Sequence, residues 1–555
     1  MKENKERERK FFSMEICEIS LRATTPLATD YIIGAFPIEK GFVYDISERD
    51  AFQRRLNDLN ERIYPRQQLV EHLLLYHQKL QASPQTFENI KKLSDRSSVV
   101  VIGGQQAGLL TGPLYTIYKI MSIIRLAKEQ EQKLAVPVVP VFWIAGEDHD
   151  IAEVDHVYVA EKGKIKKRTY PHSVQEKRMV AQLPIDKQIC FQWIKDVVET
   201  YGETETTNEL LHFLERCVEQ AHTFVDFFAR IVLQLFASDG LVVVNAADES
   251  LRAIESEFFA TFIERHDEIA NAVLRQQKRL AQLGYRKTLD VQPQSANLFY
   301  YDGCERWLLE CNGEDKLFYN KKGGVVFSKE ELLSLAKTSP YKLSNNVVTR
   351  PLMQEFLFPT LAFIAGPGEI AYWAELQEAF SLLGYAMPPV VPRLNMTLVE
   401  RSIQTDLQEV GLTVEEVLQG RINEAKAEWR RRQIQYPLDE MIAHAKERIE
   451  EIHRPLREIG MEIDRGLANV LTKNATFLQS QIDFLHQTLH RSIEKKYEVE
   501  WKKFARIEMS LWPNQAPQER IWNIFYYINK YGFDFVERLM GLEYKWNGLH
   551  KIVYI

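Results

Sequence analysis

Four consecutive ionisable residues, Glu147, Asp148, His149 and Asp150, follow directly on the apolar run "VPVVPVFWIAG" at 136–146. Four such side chains cannot all be buried without partners, so their position marks the place where an apolar element ends and polar work can begin. A histidine beside a carboxylate can hold or release a proton near neutral pH, acting as acid, base or charge partner to a phosphate. His149, Asp148 and Glu147 are therefore the catalytic candidates. His149, Glu153 and His156 would share one face if the segment were helical, which raises a zinc reading. The alternation of "VDHVYVA" reads as a strand, which breaks that face, and no metal ligand is assigned. A plain surface turn remains the other alternative.

Two further polar junctions leave apolar runs. In "VVVIGGQQAGLLTGPLYTIYKI" (99–120), Val99 to Ile102 reads as a strand, Gly103 to Gly112 as a ligand-facing loop, and Pro113 onward as a helix whose N-terminal amides favour an anion. Gly103, Gly104, Gln105, Gly108, Thr111 and Gly112 are the nucleotide- or phosphate-binding candidates there. The stretch matches neither common phosphate-loop pattern, and Lys119 falls too far into the helix to be the lysine of one. A tight structural corner stays open as the other reading. In "AGPGEIAYWAEL", Gly366, Gly368 and Glu369 repeat the strand–glycine–helix junction and join the phosphate-binding set. Asn297, Arg350, Gln354, Tyr372 and Arg393 complete the expected site as substrate-binding residues; two arginines near helix starts suit phosphates or a dicarboxylate, or only a surface acid.

These junctions need a common scaffold. Five short apolar runs, at 97–102, 136–146, 241–246, 361–366 and 388–393, are separated by helical patterns. Runs without alternation suit strands covered on both faces, and the βα rhythm predicts a Rossmann-like, parallel five-stranded α/β core. Ligands of such sheets bind at the carboxyl ends of the strands, where all three junctions lie. Residues from about 160 to 235 read as a helical insertion and 285–345 as a hairpin-rich one, so the core with its N-terminal extension spans 1–395. From 396 to 505 the pattern becomes long helix. Leu438, Ile442, Ala445, Ile449, Ile452, Leu456, Ile459 and Ile463 form a heptad stripe, resumed from Leu467 to Leu489 with Asn474 in the seam. Pro455 is expected to kink or break it. Self-association through this coiled coil, as a homodimer, and an intrachain helical hairpin are compatible readings. Residues 506–555 are expected to form a small helical segment packing on the core.

The chain's 555 residues carry a formal net charge of −7 at pH 7, which gives no overall nucleic-acid footprint. The charged start and the lack of a long apolar run exclude a secretory signal and a membrane span from the expectation. Five cysteines without a C-x-x-C pair fit thiols in a reducing, cytoplasmic setting.

Together, "GGQQAGLLTGPLYTIYK", "GEDHD", "NLFY", "RPLMQEFLFPT", "GPGEIAYWAEL" and "QERIWNIFYYINKYG" resemble the bacillithiol biosynthesis cysteine-adding enzyme family over essentially the whole chain. The resemblance implies a ligase joining the carboxyl group of L-cysteine to the sugar amine of glucosaminyl-malate. The core is more distantly similar to class I aminoacyl-tRNA synthetases and nucleotidyltransferases. That likeness implies ATP and Mg2+, although "LLTGPLY" lacks both histidines of the HIGH signature and no KMSKS signature follows. Two other readings stay open: another ATP-dependent synthetase or nucleotidyltransferase, and a non-catalytic nucleotide-binding scaffold.

Overall fold

The computed structural model describes residues 14–171, 178–313, 315–433 and 437–555. They form two compact units. One runs to Thr397 and takes in Gln518–Val553; the other comprises Leu398–Pro517 with Tyr554–Ile555.

The first unit is built on the five predicted strands, Val99–Gln105, Val138–Ile144, Val242–Asn245, Thr360–Ala365 and Val390–Pro392. All pair in parallel, in the spatial order fifth, fourth, first, second, third. The first and fourth strands are neighbours although more than 250 residues separate them, so chain direction across the sheet reverses between them. That is the topological switch point, where adjacent loops diverge and leave a crevice. Every residue of the second strand is buried, as apolar runs covered on both faces require.

One boundary differs from expectation. The first strand continues to Gln105, so Gly103 and Gly104 pair in the sheet, opposite Phe142 and Trp143, and are not loop residues. Their glycines answer to close packing. A Cβ on Gly103 would lie 3.0 Å from the Ile364 carbonyl oxygen, and one on Gly104 3.0 Å from that of Trp143.

After the second strand the chain makes an antiparallel hairpin, His156–Glu161 with Lys164–Thr169, then the helices Lys187–Glu199, Thr207–Gln220 and Phe224–Leu235. Between the third and fourth core strands it forms a separate five-stranded antiparallel sheet, in which Ser295–Tyr301 lies between Arg306–Cys311 and Leu343–Asn345. The chain's last stretch holds the helices Ile524–Tyr531 and Phe535–Met540, then ends on a strand, His550–Tyr554, which the helical expectation did not include. The adjacent β-branched Ile552 and Val553, followed by Tyr554, favour it.

In the second unit, Leu438–Ile463 and Ala468–Lys496 form an antiparallel helical hairpin. Lys446 pairs with Asp483 at 2.5 Å, and His453 Nε2 lies 2.8 Å from Asn474 Oδ1. The first helix runs through Pro455 without a break. Pro455 is exposed, so the carbonyl group it leaves without an amide partner can face water. No described helix is long and apolar enough to cross a membrane.

Candidate active site

A cleft of about 1220 Å³ opens at the carboxyl ends of the first, second and fourth core strands. Three of its walls come from the predicted junctions, a fourth from the inserted antiparallel sheet, and a fifth from residues 520–523.

The loop after the first strand is a fixed turn. Leu110, Thr111 and Gly112 all have positive φ (50°, 68° and 66°), and a Cβ on Gly108 would meet Gly112 Cα at 2.9 Å. Two consecutive non-glycine residues in the left-handed region persist only if their surroundings hold them there. Asn523 does this, its Nδ2 donating to the Leu110 carbonyl at 2.6 Å and the Gly112 carbonyl at 2.8 Å. The Leu109 amide adds a bond to the Val154 carbonyl. The same bonding removes donors expected to hold phosphate. The Gly108 amide donates to Gln106, that of Gly112 to Leu109, and that of Leu114, first in the following helix, to the Trp522 carbonyl. Gly104, Gln105 and Gly112 border the cleft, whereas Gly103, Gly108 and Thr111 lie behind its surface.

Lys119 faces the cleft from the second turn of the helix Leu114–Leu134. It is buried, and its Nζ donates to the Gly104 carbonyl at 2.7 Å and to Glu369 Oε2. Burial lowers its pKa, and the Glu369 carboxylate opposes that. Glu369 also accepts the Gly366 amide at 2.6 Å, so the third junction is a capped helix start stitched to the first. Gly366, Gly368, Glu369 and Tyr372 all border the cleft.

The four-charge turn divides its labour. Glu147 borders the cleft and pairs with Arg252, which also binds Glu255 at 2.7 Å; all three side chains are buried. Burial pushes the Glu255 carboxyl up to about 7. Asp148 stays at the rim, accepting the His149 backbone amide at 2.7 Å on Oδ1 and Gln106 Nε2 at 2.6 Å on Oδ2. His149 is a quarter exposed, with Nδ1 3.8 Å from Asp148 Oδ1 and its ring edge-on to Phe299. Arg306 stacks over the Phe299 ring, its guanidinium carbon 3.8 Å from the ring centroid, and places Nη1 4.0 Å from Asp148 Oδ1. Burial lowers its pKa, against the pull of Glu147 and Asp148.

The arginines expected to bind substrate differ in what they have left to give. Arg393 is buried in a two-pronged pair with Glu519, at 2.6 and 2.9 Å, so its charge is already answered. Arg350 donates Nη1 to Gln354 at 3.1 Å, while its Nη2 is buried with no hydrogen-bond partner among the described residues. Gln354 thus stands behind the cleft and orients Arg350. Asn297 is also behind the wall, its Oδ1 accepting from Asn346, which does border the cleft. The residues not singled out from the sequence are Lys119, Arg306, Arg520 and Asn523. A buried lysine on an apolar helix and an arginine opening the strand "RWLLEC" were the available signals.

With Lys119, Arg393 and Glu147 paired, Arg350 and Arg520 are the cleft-lining arginines without an ion pair among the described residues, and they stand beside the Asp148–His149 pair. The cleft suits an anionic ligand brought up against a proton acceptor.

Comparison with known proteins agrees over the whole chain. The family described as "Bacillithiol biosynthesis BshC, N-terminal Rossmann-like domain" matches residues 14–394, and "Bacillithiol biosynthesis BshC, C-terminal coiled-coil domain" matches 396–555. A protein of Geobacillus sp. (strain WCH70) named "Putative cysteine ligase BshC" is 69% identical over 542 residues, 98% of this chain and 100% of the relative. Proteins of the same name from Geobacillus thermodenitrificans and Bacillus licheniformis are 60% and 45% identical, over 98% and 97% of this chain and 100% of each relative. With both of its regions matched and relatives this similar from end to end, the chain belongs to the bacillithiol biosynthesis BshC family.

Proposed function

We propose that this chain forms the amide bond between the carboxyl group of L-cysteine and the amine of glucosaminyl-malate, as a cysteine ligase of bacillithiol biosynthesis. The observation that carries this reading is the juxtaposition, at a sheet's switch point, of the Asp148–His149 pair with Arg350, whose buried Nη2 has no hydrogen-bond partner among the described residues. The names of its relatives point to the same chemistry.

A carboxylate is a poor electrophile, and ATP-dependent activation supplies the leaving group it lacks. The Rossmann-like fold is a nucleotide-binding type. The residues present fit such a ligand in part. Lys119 lies on the wall but is answered by Glu369, and Asp148 is the rim carboxylate available to Mg2+, which needs only one or two alongside phosphates. Glu147 is committed to Arg252 and anchors the turn.

Attack requires a neutral amine. His149 accepts the amine proton, and Asp148 beside it stabilises the imidazolium that forms. Arg350, held by Gln354, and Arg520 bind the malate carboxylates; Arg393 positions the wall through Glu519. Phe299 and Arg306 fix the imidazole from the opposite side.

In the helical unit, Ile452, Leu456, Ile459, Ile463 and Val470 leave more than half of their surface exposed along one stripe. A second copy of this chain covers that stripe in a homodimer. Five cysteines with no disulfide among them suit a cytoplasmic setting.

Purified protein incubated with glucosaminyl-malate, cysteine and each nucleoside triphosphate in turn tests the reaction. Mass spectrometry should show the thiol product together with AMP or ADP. Folded protein that forms no product with any of them refutes the proposal. His149→Ala should lower turnover about 10²–10⁴-fold at saturating substrates, and unchanged turnover removes His149 from the chemistry.

A further inference from the structure

Three side chains at the open end of the helical hairpin converge without an internal explanation. Asp439 Oδ1 in the first turn of Leu438–Ile463 lies 2.8 Å from His486 Nε2 and 3.1 Å from His490 Nε2, both on Ala468–Lys496. The two Nε2 atoms are themselves 2.8 Å apart. The histidines stand at i and i+4, one turn apart on the same face, with about a quarter of each side chain exposed. Among the described residues this is the one group of three histidine, cysteine or acidic side chains whose ligand atoms lie within 4.8 Å of one another.

Hydrogen bonding alone cannot satisfy this triangle. Arg430 donates to His490 Nδ1, which places the His490 proton on Nε2, aimed at Asp439. If His486 also carries its proton on Nε2, two N–H groups face each other at 2.8 Å. If it does not, its lone pair faces the Asp439 carboxylate at the same distance. Either assignment leaves one edge repulsive, whereas one cation in the middle is attracted by all three atoms.

We propose that Asp439, His486 and His490 form a zinc site that closes the helical hairpin. Two imidazoles and a carboxylate are a borderline-soft donor set that zinc favours over magnesium or calcium. Tetrahedral zinc with bonds of about 2.0–2.1 Å holds its ligand atoms about 3.3–3.4 Å apart. The observed triangle reaches this by opening about half an ångström on its two 2.8 Å sides and about a quarter on its 3.1 Å side, within reach of partly exposed side chains. Three protein ligands leave a fourth position for water. The ion ties the start of one long helix to the end of the other, in a hairpin that buries only Ile442 of its first helix and no residue of its second. Metal-bound Nε2 requires the His490 proton on Nδ1, so zinc and the Arg430 contact are mutually exclusive.

The test uses the full chain, purified without a metal-binding tag and stripped by a chelator, and titrated with Zn2+ alone and with Co2+ alone. One Zn2+ should bind per chain, raise the melting temperature of the helical signal, and give a tetrahedral Co2+ spectrum. His486→Gln and His490→Gln, both at semi-exposed positions, should weaken Zn2+ by more than the roughly 10–100-fold typical of losing an outer partner, with unchanged helicity by circular dichroism. Arg430→Ala should tighten binding by freeing Nδ1. Wild-type protein that binds no zinc, zinc binding that survives loss of both histidines, or an octahedral Co2+ spectrum each overturns the site.

Discussion

The second core strand, Val138–Ile144, buries all seven of its residues, whereas the helix Leu438–Ile463 buries only Ile442 of its twenty-six. Charges differ in the same way. In the sheet-bearing unit, Arg252 lies wholly buried between Glu147 and Glu255, and Arg393 against Glu519. In the helical unit, the pairs Lys446–Asp483 and Arg457–Glu450 are water-exposed. Position in a buried network is set by many neighbours at once and tolerates no loose partner. Exposed pairs along a helix contribute little each, so the hairpin depends on what binds its surface. A cleft that must hold reacting groups to a fraction of an ångström belongs to the first kind of construction, and an association surface can belong to the second.

The sharpest way to break this contrast is Arg252→Ala. It leaves the buried carboxylates of Glu147 and Glu255 without the cation they share, and should cost about 3–5 kcal/mol of stability in the core, read as a lower denaturant midpoint. Arg457→Ala, its water-facing counterpart, should leave the midpoint nearly unchanged. Equal effects would erase the distinction.

Asn523→Ala comes next. It orphans the Leu110 and Gly112 carbonyls and should cost about 1–3 kcal/mol. Because those bonds hold two non-glycine residues at positive φ, turnover should fall further than stability predicts. A variant that loses stability but keeps full activity would show that the loop's conformation does not matter to the site.

Glu255 supplies a dependence on pH. Its carboxyl titrates near 4.5 when exposed and at about 7 in the fold, because burial disfavours the charge more than Arg252 restores it. Between those values the folded chain holds a proton that the unfolded chain has released. Its contribution to stability is therefore complete below about 4.5 and lost as pH rises through 7. Glu255→Gln keeps the neutral form at every pH, and unfolding midpoints measured from pH 4.5 to 7.5 should decline less than in the wild type. An identical decline would assign it to other groups.

What could be read in advance follows the range of the interactions involved. The five parallel strands were legible because full burial writes itself locally, as unbroken apolar runs. His149 and Asp148 were legible because charge placed straight after such a run has nowhere else to go. Gly103 and Gly104 were misplaced into a loop: glycine gives the same signal in a turn and where neighbouring strands approach closely. Lys119 pairs with Glu369 across 250 residues, and Asn523 holds Leu110 across 413. Contacts at such separation leave no spacing to read. Glu147 could not be told from Asp148 because both are acids of one turn, and Arg252, 105 residues further on, is what makes Glu147 the buried one.

The smallest expected effect on folding comes from Ile459→Ser in the exposed stripe. More than half of Ile459 is exposed, so the isolated chain should lose no more than about 0.5 kcal/mol. In a homodimer the same side chain is covered, and exchanging isoleucine for a polar group at a heptad seam position removes apolar burial from both copies. Sedimentation should then show a shift from dimer to monomer at concentrations where the wild type is wholly dimeric, with the monomer's helicity nearly unchanged. A variant that stays dimeric would move the interface off this stripe. One that loses helicity as it dissociates would show instead that the hairpin cannot stand without its partner, and that association is part of how this unit folds.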